Sequence, residues 1–288
     1  MPQLKEFHYR MPARVAGIRP GSHPGTSVGA GQEFVSHTRL FDSPDPRRID
    51  IAASIRGGYG EWLVRLYRQR VAVPVYALVD VSASMRFGGA VSKLEAAAQF
   101  AEALGYSAFR HGDPVGMLAF DALERADLFV PPRHGRAAGT LMGEALRRAR
   151  PAAQPGAPLP AALEKAFARL AGRACMVFVV SDFHWPVDTL LQLLRGMPRV
   201  WLVPIVVWSA AEVEPPAADG WLTVHDLETG KPGSLWMTDA LRRRWRARVA
   251  AARQHLVGAF AQRGVQPLFV VDHFDADALT RYFVEQMA

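Results

Sequence analysis

Asp80, Ser82 and Ser84 stand at alternate positions in "VYALVDVSASMRFGG" (residues 75–89), just where an apolar run ends. A carboxylate and two hydroxyls are hard oxygen donors, suited to Mg²⁺, Mn²⁺ or Ca²⁺ and poorly suited to zinc. Mg²⁺ commonly takes one or two carboxylates and keeps water, so a mixed Asp/Ser shell with an open position is chemically sound. The alternative is that Ser82 or Ser84 only caps the helix that follows. A second strand-like run, "CMVFVVSDF", ends in Ser181–Asp182. Two strand ends that both finish in oxygen donors can converge on one ion.

The elements that must position these residues begin at residue 72. "VPVYALVD", "VGMLAF", "CMVFVVSD", "RVWLVPIVVW" and "VQPLFVV" read as buried strands. Helical stretches separate them, among them "SKLEAAAQFAEALGYSAFRHG", "GTLMGEALRRA", "LPAALEKAFARLA" and "VDTLLQLLRG", with "DADALTRYFVEQM" at the end. Strand–helix alternation predicts a mostly parallel sheet with helices on both faces, and ligands at the carboxyl ends of its strands. Residues 219–238 read as a hairpin. Residues 1–71 are rich in Gly, Pro and Arg and lack helical periodicity, with strand-like pieces near Phe34–Leu40 and Glu61–Arg68. The expectation is an N-terminal β-rich module, 1–71, and an α/β domain, 72–288.

The residues Asp80, Ser82, Ser84 and Asp182 resemble the metal-ion-dependent adhesion site of the von Willebrand factor A fold. That resemblance implies a Rossmann-like α/β domain whose Asp and two Ser, a Thr and a second Asp surround one divalent cation. The ion's open position would receive a carboxylate from a protein partner. The family's second loop reads Gly-Thr-x-Leu-x-x-Ala-Leu. "GTLMGEAL" would supply Thr140, whereas "GAPLPAAL" has Ala157 at the Thr position. The second alignment is favoured, because one helix and one strand then separate Ala157 from Asp182. Thr140 stands as the substitute.

The order "GSHPGTSVGAGQEF", "DSPDPRRIDIAASIRGGYGEWLVRLYRQ", "VYALVDVSASM" is similar to a bacterial family catalogued as domain of unknown function fifty-eight. Ile51 and Asp45–Pro46 depart from its pattern. The resemblance implies a non-enzymatic adaptor for an AAA+ ATPase of the MoxR type, or for that ATPase's client.

Other motifs weigh less. "GTSVG" (25–29) matches G-x-S-x-G but lacks the strand before and the helix after that a nucleophile elbow needs. "DHFDAD" (272–277) reads as a strand end and a helix cap. His184 could lie near an ion, although Mg²⁺ prefers oxygen. No P-loop or dinucleotide fingerprint is present. A metal-dependent hydrolase built on the same carboxylates is the rival reading, and His184 is the one base its motifs offer.

The net charge of +7 admits nucleic acid as a further partner. The helix "DALRRRWRARVAAARQHLVGAFAQRG" concentrates that charge in Arg242, Arg243, Arg244, Arg246 and Arg253. Leu241, Trp245, Val249, Ala252, Leu256 and Phe260 form a stripe on it, which makes an ordinary amphipathic helix with a solvated face the expectation. Hydrophobic residues at 50% and charged residues at 21% exclude a disordered chain. The apolar runs are too short to span a bilayer. Cys175 is the sole cysteine, so an internal disulfide is excluded. A soluble cytoplasmic protein is expected.

Overall fold

The computed structural model describes residues 5–15, 19–29, 31, 33–57, 60–89, 91–150, 160–225 and 232–286. They form two compact units, one holding residues 10–73 with 111–113, the other holding residues 5–9, 74–110 and 114–286.

The smaller unit is built on a three-stranded antiparallel sheet ordered β1 (Pro20–Gly29), β3 (Leu63–Val71), β2 (Glu33–Arg39). The Gly/Pro-rich stretch of β1 reads as turns in the sequence, and the structure makes it a strand with two register shifts against β3. A Cβ on Gly21 would lie 2.3 Å from Ala72 N, and one on Gly25 2.6 Å from the Gln69 carbonyl oxygen. Those glycines admit close backbone approach rather than a turn. A short helix, α1 (Ile51–Arg56), is capped by Asp50, whose side chain accepts from Ala53 N. Asp50 also accepts from Arg65 Nε at 2.8 Å and faces His37 Nε2 at 3.0 Å, a polar network that closes within this unit. Buried Asp113 binds His23 at 2.6 Å and takes the Val73 amide at 2.8 Å.

The larger unit carries a six-stranded sheet ordered β11 (Leu268–Val271), β8 (Val200–Trp208), β7 (Cys175–Ser181), β4 (Val75–Asp80), β5 (Val115–Phe120), β6 (Val130–Arg133). All neighbours are parallel except β5 and β6. β4, β5 and β7 are buried at every position, which is why they appear in the sequence as unbroken apolar runs. β6 is unannounced in the sequence. Pro131 and Pro132 cannot donate to a ladder and suit only an edge such as this one. A separate hairpin pairs β9 (Gly220–His225) with β10 (Pro232–Met237), placing Trp221 and Trp236 edge to face at 5.6 Å.

Side chains alternate across the strands and build two cores. One joins Tyr76, Leu78, Val177 and Val179 to α4 (Pro160–Ala168), α5 (Asp188–Arg195) and α7 (Asp239–Ala261). On the other face Phe178 packs against Phe100 of α2 (Lys93–His111), tilted, and meets Phe283 of α8 (Ala276–Glu285) edge to face. Phe7 and Tyr9 pack on Phe178 as well, which explains why residues 5–9 belong to this unit despite their polar surroundings in the sequence. α3 (Ala138–Arg148) lies on α2. A Cβ on Gly105 would sit 2.2 Å from Gly139 Cα, so the two backbones touch there.

β4 has β5 on one side and β7 on the other, so successive connections leave it in opposite directions. The crevice beyond its carboxyl end is the topological switch point of the sheet, where open α/β sheets bind ligands. Among the described residues no helix is long and apolar enough to cross a membrane.

Candidate functional site at the strand ends

Asp80 is the last residue of β4 and is fully buried. Its Oδ1 accepts from Ser82 N at 2.9 Å. Its Oδ2 accepts from Ser181 Oγ at 2.6 Å and from Trp185 Nε1 at 3.2 Å. Burial raises the Asp80 carboxyl to about 6, helped by the negative charge of Asp182 and opposed by the hydrogen bonds from Ser181 and Ser82. Both oxygens are therefore engaged by protein donors.

Ser82 and Ser84 follow on the turn, with their hydroxyls 3.2 Å apart. Ser82 makes no side-chain cap to the 3₁₀ turn it precedes, so the capping alternative does not apply to it. Asp182 follows directly after Ser181, the last residue of β7. Burial alone would raise its carboxyl. Lys93, His184 and the Ser84 hydroxyl more than reverse that and hold it below the usual range. Asp182 Oδ1 also accepts from His184 N at 3.2 Å.

The residue that the motif reading missed is Lys93. It opens α2, is 1% exposed, and donates from Nζ to Asp182 Oδ2 and to Glu212 Oε1, at 2.7 Å in each case. Glu212 belongs to α6 (Ala210–Val213), where it also accepts from Ser209 N in a capping box. Lysine at a helix start reads as a solvated residue, so no local signal marks its role. Only the later strand and helix, brought into register by the fold, reveal its partners.

The strand-end cluster thus unites Asp80, Ser82, Ser84, Ser181 and Asp182, with Lys93 and Glu212 closing it. Thr140 is not among them: it is an exposed residue of α3. Ala157 lies outside the described residues. His184 is on the rim, 54% exposed, with Nδ1 3.5 Å from Asp182 Oδ2. Asp182, His184 and Glu212 each offer one ligand atom, all within 4.8 Å of one another, a set that could receive a divalent cation. The oxygen types suit a hard ion, but the place beside Asp182 Oδ2 is taken by an ammonium. As arranged, the residues do not fit a divalent ion on Asp182.

Beside Glu212 and His184 an open groove of about 710 Å³ runs along α7, floored by Trp208 and Trp245 and flanked by Arg244 and Arg248. The remaining arginines of α7 are largely structural. Arg242 is buried and donates to Asp219, Asp239 and the Pro216 carbonyl. Arg246 pairs with Glu214, and Arg253 lies 4.3 Å over the Phe269 ring. "DHFDAD" acts as read: Asp272 accepts from Ala210 N at 2.9 Å, and Asp275 caps α8. "GTSVG" lies within β1 and has no elbow geometry.

A mostly parallel α/β sheet with a polar cluster at its switch point defines the class of protein. The chain belongs to the family described as "Protein of unknown function DUF58", which matches residues 42–255. No curated protein matches it by sequence. Among solved structures it is similar to a conserved hypothetical protein BatB from Bacteroides thetaiotaomicron (15% identity, 75% of this chain and 98% of that one, TM-score 0.44). It is also similar to a von Willebrand factor type A protein from Catenulispora acidiphila (12% identity, 77% and 43%, TM-score 0.37). The SpRpn10 VWA domain is a third (13% identity, 73% and 95%, TM-score 0.39).

Proposed function

We propose that the chain is a non-enzymatic protein-interaction module that presents the carboxyl edge of its larger sheet to a partner. The observation that carries this reading is the cluster itself. Asp80 and Asp182 sit at the switch point, and each of their four carboxylate oxygens accepts a hydrogen bond from the protein. Such an arrangement holds a surface in shape; it does not set up proton transfer.

The contact surface comprises Ser84, His184 and the adjoining groove, whose Arg244 and Arg248 favour a partner segment with apolar and acidic side chains. On the family resemblance we take the partner to be an AAA+ ATPase of the MoxR type, or its client, in the cytoplasm. The resemblance implies Mg²⁺, Mn²⁺ or Ca²⁺ at Ser82, Ser84 and Asp182, and the Lys93 ammonium on Asp182 Oδ2 opposes such an ion.

The test is calorimetric titration of the purified chain with a purified MoxR-type ATPase from the same organism. Binding that Ser84→Ala weakens and Arg244→Glu/Arg248→Glu abolishes supports the reading. Binding that ignores both variants, or no binding at all, removes it.

A further inference from the structure

Lys93 has the surroundings of a bound cation. Its ammonium is buried, contacts two carboxylates at 2.7 Å each, and lies 5.9 Å from the centre of the Phe87 ring. Asp182, its main partner, is itself only 1% exposed and takes further hydrogen bonds from Ser84 and from the His184 amide. Burying a lysine is costly unless it is paired and hydrogen-bonded, and here it is both. The chain thus spends a buried lysine on the one spot where two strand ends and a helix bring carboxylates together.

We infer that Lys93 is the resident cation of the strand-end site: a tethered ammonium stands where a divalent ion would bind, and the site works without metal. An ion at about 2.0–2.1 Å from Asp182 Oδ2, the Mg²⁺–oxygen distance, would share that oxygen with Nζ in a buried setting. Two cations on one oxygen repel strongly where water does not screen them. Either the ion stays out or Lys93 must leave, and leaving strands Nζ away from Asp182 and Glu212, the two carboxylates it contacts. The inference takes the site from the interaction reading above, but its test needs no partner, so either can fail alone.

The experiment is a Mn²⁺ titration of the full chain followed by electron paramagnetic resonance, with thermal melting in the presence and absence of Mg²⁺. The wild-type chain is expected to show no saturable Mn²⁺ site below millimolar concentration and no Mg²⁺ effect on its melting temperature. In Lys93→Ala the vacated carboxylates should gain one Mn²⁺ site, about a hundredfold tighter than wild type, because the repelling charge is gone. Mg²⁺ should then raise the melting temperature of that variant. Lys93→Ala/Asp182→Asn should lose both effects. A micromolar Mn²⁺ site in the wild-type chain, competed by Mg²⁺ and abolished by Asp182→Asn, overturns the inference. So does a folded Lys93→Ala that binds Mn²⁺ no better than wild type. If Lys93→Ala fails to fold, the wild-type titration decides by itself.

Discussion

Ser181 Oγ donates to Asp80 Oδ2 at 2.6 Å, tying together the ends of two adjacent parallel strands. Ser181→Ala removes one of the donors that hold a buried carboxylate. The expected loss is about 1–3 kcal/mol of stability, the cost of leaving such a group short of a partner. The deficit should be larger at pH 8, where Asp80 is charged, than at pH 4, where it is largely neutral. Urea unfolding at the two pH values measures it, and equal deficits would count against the assignment.

Asp80 also sets a pH dependence. Its carboxyl is raised from 3.8 to about 6 in the folded chain, mainly by burial. The native state therefore keeps a proton that the unfolded state has released. The associated stability is fully present below 3.8 and is lost as pH rises through 6. Relative to Asp80→Asn, the wild-type chain should lose about 3 kcal/mol across that window. Asp182 runs the other way. Its lowered carboxyl contributes stability above 3.8 that is lost on further acidification, outside the window. A wild-type-minus-variant difference that is flat between pH 4 and 6 would contradict this account.

Lys93→Ala should destabilise the fold by about 3–5 kcal/mol, because it leaves a buried carboxylate uncompensated. Lys93→Met/Asp182→Asn, which removes both charges, should recover most of that loss in chemical denaturation. If the double variant is no better than the single one, lost packing rather than lost pairing is responsible.

On α7, Arg242→Ala should lower the melting temperature more than Arg243→Ala. Arg242 is buried and bridges Asp219 and Asp239, whereas Arg243 is exposed. Indistinguishable melting curves would return Arg242 to the solvated face on which sequence reasoning placed it.

Cys175 is fully buried at the start of β7, and burial pushes its thiol up to about 12. The native chain should resist alkylation at pH 8 and react at this one position on unfolding, so labelling followed by mass spectrometry reads out global opening. Rapid native labelling would show that the start of β7 opens locally.

The larger sheet was legible because doubly covered parallel strands must be apolar throughout, and "VYALVD" and "CMVFVV" leave little alternative. Their ends were legible because polar residues abruptly follow those runs. β1 was not legible, since its glycines signal turns unless the neighbouring backbone of β3 is known. β6 is a four-residue edge strand with two prolines, below the reach of any periodicity. In the site, Lys93 escaped because its partners lie 89 and 119 residues away in the chain. Local spelling alone points to Thr140, and the helix that carries it leaves it exposed. Spelling identifies donors, whereas tertiary approach decides which cation they meet.

The backbone contact of Gly105 with Gly139 has a mechanical meaning. Any side chain at either position would strike main chain, so Gly105→Ala or Gly139→Ala would force the two helices apart at their crossing and displace α2, the helix whose first residue is Lys93.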